Sequence, residues 1–135
     1  MSRINPATVW SLYYRITVSV IADIGPRLAA LGLDSKELFV LAGIDELPYP
    51  ADLAGSLCMP RPTVTTNLKR LEAAGFVRRE IDPSDLRRHR LHVTEEGRKV
   101  ASAGMAIVAE AFGARLARLA PEQQAQLKGL LEAMV

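Results

Sequence analysis

At 135 residues, 49% hydrophobic and 24% charged, the chain has the size and composition of one soluble globular domain able to bury its own core. Its single cysteine excludes an intrachain disulfide and a multi-cysteine zinc site, so a reducing cytoplasm is the expected compartment. The net charge of +2 conceals an asymmetry: Arg61 to Lys99 carries ten Lys/Arg against six Asp/Glu while the rest is mildly acidic, which points to an anionic partner docking on the middle of the chain.

The first predicted element is a helix from about Pro6 to Leu31. Val9, Tyr13, Ile16, Val20, Ile24, Leu28 and Leu31 recur at steps of three and four, and Trp10, Tyr14 and Ile21 widen the apolar face. Asn5 caps its start, Pro6 suits the first helical position, Gly32 stops it, and Gly25-Pro26 predicts a kink. The run Ile16 to Ala22 reads as a buried helix face rather than a signal peptide. No run approaches the ~18 uncharged apolar residues of a membrane span, so no membrane partner is expected. So long and apolar a helix exceeds the needs of a small domain, and part of it is expected to meet another subunit.

Asp34-Ser-Lys-Glu37 has the form of a capping box and opens a helix to about Gly43, with Leu38, Leu41 and Ala42 inward. After the connector Leu47-Pro-Tyr-Pro50, a short helix covers Ala51 to Leu57 and Cys58-Met-Pro60 makes a turn. A further helix runs from about Arg61 to Ala74 and stops at Gly75. The period then changes. Phe76–Ile81 and Arg90–Val93 read as two short strands of a hairpin, with Asp82 to His89 as its charged tip. Thr94 caps a helix from Glu95 to about Leu119, whose apolar face is Val100, Ile107, Val108, Ala111, Phe112, Leu116 and Leu119. Pro121 restarts a last helix with Leu127, Leu130, Leu131 and Met134 inward. Short helix, turn, helix and hairpin make a winged helix-turn-helix. The predicted class is mainly α with a small β wing, flanked by N- and C-terminal dimerisation helices.

On the helix after the turn, Val64, Leu68 and Leu71 face inward. The other side offers Thr63, Thr66, Lys69 and Arg70, with Thr65 on its flank and Arg61 at its start. Threonines among cations, with no acid before Glu72, suit phosphates and base edges better than a face turned only to water. The hairpin adds Arg87, Arg88 and Arg90, a charge density with no folding use and one that suits a narrow minor groove. Asp85, two residues before Arg87, is placed to hold its guanidinium, and the alternative for Asp82 and Asp85 is turn chemistry.

These residues resemble the MarR family of bacterial transcription regulators. The resemblance is carried by Gly32-Leu33, by Arg61-Pro-Thr-Val-Thr65 and by Leu71-Glu-Ala-Ala-Gly-Phe-Val77. Most specific is Asp82-Pro-Ser-Asp-Leu-Arg87 followed by Val93-Thr-Glu-Glu-Gly97, against a family pattern of Asp-Pro-x-Asp-Arg-Arg then Leu-Thr-x-x-Gly. It covers nearly the whole chain. It implies a single domain with dimerisation helices at about 1–31 and 95–135 and a DNA-binding lobe at about 34–94. It also implies a homodimer on a pseudo-palindromic double-stranded operator, with Arg61, Thr63, Thr65 and Thr66 in the major groove and Arg87 in the minor groove. Four departures stand out: Leu86 replaces the usual wing arginine, with Arg88 as its potential substitute, Thr66 a frequent arginine, Cys58 a frequent glycine and Pro60 a serine cap.

Family members commonly release DNA on binding small aromatic or phenolic compounds in a cleft between the dimerisation helices and the lobe. Trp10, Tyr13 and Tyr14 either line such a cleft or belong to the core or the dimer interface. Cys58 has only Arg61 nearby in sequence to lower its thiol pKa, which leaves a redox role open but unsupported. His89 and His92 lack further ligands, so no metal and no cofactor is expected; His89 reads as a wing-tip contact and His92 as an exposed strand residue. There is no phosphate loop or nucleophile elbow, and catalysis is not expected. The competing readings are a winged-helix protein-interaction module, which would favour an acidic or apolar second helix, and a DNA-binding protein without an effector. RNA binding would favour exposed stacking aromatics on helix and wing.

Overall fold

Proline and a capping side chain start most of the helices. The computed structural model describes residues 3–135, with helices α1 (Pro6–Ala29), α2 (Ser35–Gly43), α3 (Pro50–Ser56) and α4 (Arg61–Ala73), strands β1 (Val77–Asp82) and β2 (Asp85–Val93), then α5 (Glu95–Leu116) and α6 (Pro121–Met134). The Asn5 side chain accepts from the Ala7 amide at 2.9 Å with Pro6 following, and Asp34 accepts from the Glu37 amide at 2.7 Å. Thr94 accepts from the Gly97 amide at 3.0 Å, and Gln123 reaches back to the Ala120 amide at 2.9 Å. Each satisfies a donor that a helix start leaves open.

Helix α4 ends at Ala73, and Gly75 just beyond it turns the chain with a φ of 81°, open to glycine at no steric cost. The Phe76 amide then closes back onto the Leu71 carbonyl at 2.9 Å, a Schellman-type stop. The chain leaves as β1 and returns antiparallel as β2, with Val77 opposite Val93, Arg79 opposite Leu91 and Ile81 opposite His89. The Thr94 hydroxyl donates to the Gly75 carbonyl at 2.6 Å, so the start of α5 is tied to the end of α4.

One core joins the lobe to the second half of α1. Ile24, Leu28, Leu38, Leu41, Ile44, Leu53, Val64, Leu68, Leu71 and Leu91 are all fully buried. Each such side chain contributes about 1.5–3 kcal/mol by leaving water. Helix α1 packs along α5, α5 on α2, and α4 on both α2 and α3. Gly104 lets α5 approach closely, with Leu38 and Leu28 methyls against it. No single helix among the described residues is long and apolar enough to cross a membrane.

Several expectations are corrected. Helix α1 stops at Ala29, short of the expected Leu31, with Pro26 inside its span. Its first half is not a core face: Val9, Tyr13 and Ile16 are exposed, and of Ile16 to Ala22 only Val20 is buried. Inward positions on α2 are Glu37, Leu38, Val40 and Leu41, while Ala42 is exposed. Strand β2 starts at Asp85, not Arg90, so the expected tip loop is mostly paired strand. Helix α5 stops at Leu116 rather than Leu119; its expected apolar face is inward, with Ala111 buried and Val100, Ile107, Val108, Phe112 and Leu116 half-buried. On helix α6 Leu127 and Leu131 are half-buried as expected, but Leu130 and Met134 are 63% and 80% exposed. Apolar stripes on α1, α5 and α6 thus outrun what one chain can cover.

Candidate nucleic-acid interface

Helix α4 presents its polar side because Val64, Leu68 and Leu71 anchor the other. Arg61, Thr65, Thr66, Lys69 and Arg70 are exposed, and Thr63 is half-buried. The Thr65 hydroxyl donates to the Arg61 carbonyl at 2.9 Å and the Thr66 hydroxyl to the Pro62 carbonyl at 3.0 Å. Both protons are committed to the helix, so these threonines offer a methyl and an acceptor oxygen outward rather than a donor.

The eight cations of α4 and the wing divide into two sets. Among the described residues Arg61, Lys69, Arg87 and Arg90 pair with no carboxylate. Arg70 faces the buried carboxylate of Glu37 on α2 at 3.6 Å, and Arg79 donates to Glu72. Arg78 is 3.8 Å from Glu80, and Arg88 is 3.8 Å from Asp52. Charge left unpaired by the fold is charge available to phosphate.

At the wing's turn, Asp82 is buried and three donors converge on it. Its carboxylate accepts from the Ser84 amide at 2.8 Å, the Ser84 hydroxyl at 2.6 Å and the Tyr49 hydroxyl at 2.8 Å. The Ser84 hydroxyl, then Tyr49, then the Ser84 amide push the Asp82 pKa down to about 2, with Arg88 adding a smaller pull. Asp82 therefore stays ionised at any working pH. Asp85 does not hold the Arg87 guanidinium; its carboxylate accepts from the Arg87 backbone amide at 3.0 Å, so the turn reading holds for both aspartates.

Arg88 folds back onto the lobe, with Cζ 3.7 Å from the Tyr49 ring centroid. Arg61 from α4, Arg87 and His89 from the wing, and Tyr49 from the connector line one open hollow of about 310 Å³. Leu86, beside Arg87, is 76% exposed. His92 is half-buried rather than exposed, with Nε2 2.8 Å from Glu80. Among the described residues no three His, Cys, Asp or Glu side chains gather as metal ligands.

The aromatic trio separates. Tyr13 lines an apolar cavity of about 400 Å³ with Val20, Phe39, Met105, Val108, Phe112 and Leu131. Trp10 and Tyr14 are not part of it; their rings stack 5.8 Å apart on the exposed half of α1. No charged side chain lines that cavity. Sequence patterning missed Glu37, Asn67 and Tyr49. A polar residue at an inward position, as Asn67 is between Val64 and Leu68, was the available signal for the first two.

A family model described as MarR family matches residues 35–89, from the start of α2 into β2. The HTH-type transcriptional repressor Rv2887 of Mycobacterium tuberculosis (strain ATCC 25618 / H37Rv) is 31% identical over 134 residues, 98% of this chain and 96% of that protein. The crystal structure of the M. tuberculosis MarR family protein Rv2887 with salicylic acid matches at a TM-score of 0.77 and 29% identity over all of both chains. The Staphylococcus aureus MepR–DNA complex shares the fold, with a TM-score of 0.79 at 22% identity over 98% of this chain and 97% of that one.

Proposed function

This chain belongs to the MarR family of transcription regulators, and from that premise we propose that it binds double-stranded DNA sequence-specifically, as a homodimer and a ligand-responsive repressor. It acts by binding and not by catalysis, in the cytoplasm where its operator is. One observation carries the reading: Arg61, Lys69, Arg87 and Arg90, which no carboxylate neutralises, share the recognition helix and the wing, and Arg61 and Arg87 line one hollow, whereas the other unpaired cations among the described residues, Arg3, Arg15, Lys36, Arg115 and Arg118, lie outside both elements.

Thr63, Thr65 and Thr66 read base edges through methyl and acceptor oxygen, with Arg61 beside them in the major groove. Arg87 takes the minor groove, and Lys69 and Arg90 take phosphates. Arg70 contributes more weakly because Glu37 shares its charge. Asp85 shapes the turn that presents Arg87. Helices α1, α5 and α6 form the twofold interface, and residues from about 34 to 94 form the DNA-binding lobe.

A small aromatic effector suits the cavity lined by Tyr13 and Phe39, as the salicylic acid complex of Rv2887 suggests by likeness. The cavity itself supplies no cation for a carboxylate, so an uncharged aromatic is favoured, or a second copy must bring the charge. The test is selection of bound duplexes from random DNA with sizing of the complex. A pseudo-palindrome bound by two chains is the expected result. A chain that ignores every duplex at low salt contradicts it and favours a protein-interaction module.

A further inference from the structure

The connector between α2 and α3 runs beside the wing. The Leu91 amide of β2 donates to the Pro48 carbonyl at 2.7 Å. Tyr49, the next residue, then makes two separate contacts with the wing. Its hydroxyl donates to Asp82 at the end of β1, 2.8 Å away. Its ring face carries the Arg88 guanidinium of β2 at 3.7 Å. Asp52, in the first turn of α3, lies 3.8 Å from the same guanidinium. One side chain therefore holds both strands of the wing near its tip.

On the basis of the DNA-binding function proposed above, we propose that Tyr49 is the positioning residue of the wing, and that Arg88 is a strut rather than a DNA contact. The charge of Arg88 is shared with Asp52 and one face of its guanidinium is covered by the Tyr49 ring, so it is poorly placed to replace the arginine that Leu86 displaces. What the wing offers a groove is Arg87, unpaired, beside exposed Leu86. Helix α3 packs on α4, so anchoring the wing to Tyr49 sets the distance between Arg87 and Arg61. Both line the hollow above the Tyr49 ring. That distance decides which minor-groove step Arg87 meets once α4 is seated in the major groove. A two-stranded ribbon left unanchored would swing, and holding it in place removes an ordering cost at binding.

The experiment uses the full chain as its native dimer on a selected duplex, with anisotropy titrations from 50 to 200 mM salt. Variants are Tyr49→Leu, Tyr49→Phe, Arg88→Ala and Arg87→Ala, plus Tyr49→Leu and Arg88→Ala each in the Arg87→Ala background. Tyr49→Leu should weaken binding about tenfold and Tyr49→Phe, which keeps the platform, distinctly less. With Arg87 already removed, neither Tyr49→Leu nor Arg88→Ala should change affinity further. Because Tyr49→Leu also removes a donor to buried Asp82, its melting midpoint should fall, and titrations run well below that midpoint, with a circular dichroism spectrum matching wild type, separate positioning from unfolding. Hydrogen exchange of the amides of residues 84–90 should quicken in Tyr49→Leu. Multiplicative losses in the Arg87→Ala background overturn the proposal, as does a salt slope reduced there by about 0.9 per protomer on Arg88→Ala, the mark of a phosphate contact. If the wild-type chain binds no duplex, the DNA-binding function fails instead, and the exchange measurement alone decides whether Tyr49 pins the wing: unchanged exchange overturns it.

Discussion

The backbone carbonyl of Phe76 occupies the space that a side chain on Gly97 would need. A Cβ built there falls far inside van der Waals contact with that oxygen and also meets Val93 Cγ1 at 2.9 Å. The oxygen cannot simply move, because it accepts from the Thr94 amide at 3.0 Å. Gly97→Ala must therefore push the first turn of α5 off the root of the wing. We expect a loss of about 2–4 kcal/mol in denaturant unfolding. A variant as stable as wild type would mean that the contact relaxes freely.

Arg87→Ala tests the wing cation. Arg87 pairs with no carboxylate, so its removal disturbs nothing folded. Operator affinity should fall, and the slope of log K against log salt should flatten by about 0.9 per protomer if each Arg87 neutralises one phosphate. Titration of the purified dimer at several salt concentrations checks this. An unchanged slope with unchanged affinity would remove Arg87 from the interface.

Much of this fold was legible because local chemistry decides it. Asn5, Asp34 and Thr94 cap helix starts with their side chains, Pro6, Pro50 and Pro121 fix the backbone at the first helical position, and Val64, Leu68 and Leu71 fall inward by spacing alone. What escaped was non-local. Glu37 looked like half of a capping box, yet it turns inward to face Arg70, a partner 33 positions away that no local pattern links to it. Arg88 and Arg87 are indistinguishable in sequence, and only the Tyr49 ring separates a strut from a free cation. Leu130 and Met134 were assigned inward by period, but one chain provides no surface for them.

Cys58 is the non-glycine residue with positive φ among those described, at 52° in the turn between α3 and α4. A left-handed L-residue costs roughly 1–2 kcal/mol, and glycine returns about 0.5–1 kcal/mol of that as unfolded-state entropy. Cys58→Gly should therefore stabilise the chain by up to ~1 kcal/mol, whereas Cys58→Ala should not. Paired thermal melts under reducing conditions check it. Equal midpoints for the two variants would show the turn to be unstrained.

Burial raises the Glu37 carboxyl above its ordinary value of 4.5, the neighbouring Asp34 pushes the same way, and Arg70 pulls back. A raised folded-state pKa means that folding favours the protonated acid. The contribution to stability is then greatest below the unfolded value and declines as pH rises through the folded one. Glu37→Gln removes that titration. Wild type should lose ground to Glu37→Gln as pH climbs from about 4 to neutrality, read by denaturant unfolding across that range. A gap that runs the other way would show that the Arg70 pair outweighs the cost of burying the charge.

Helix α6 keeps Leu130 63% exposed and Met134 80% exposed while the first half of α1 leaves Trp10, Tyr13 and Tyr14 uncovered. Apolar surface on this scale, spread over both ends of the chain, is what a partner surface looks like before the partner is in place. Leu130→Lys puts a charge on that surface without touching the lobe, whose core lies elsewhere. Light scattering should show wild type as a dimer and Leu130→Lys shifted toward monomer. Two lobes on one dimer address half-sites about 10 bp apart, and the second lobe binds at the effective concentration set by the first. Losing the dimer should therefore cost about 100-fold or more in operator affinity while leaving single-lobe, salt-sensitive binding. A Leu130→Lys chain that stays dimeric and protects the same two half-sites would place the interface elsewhere.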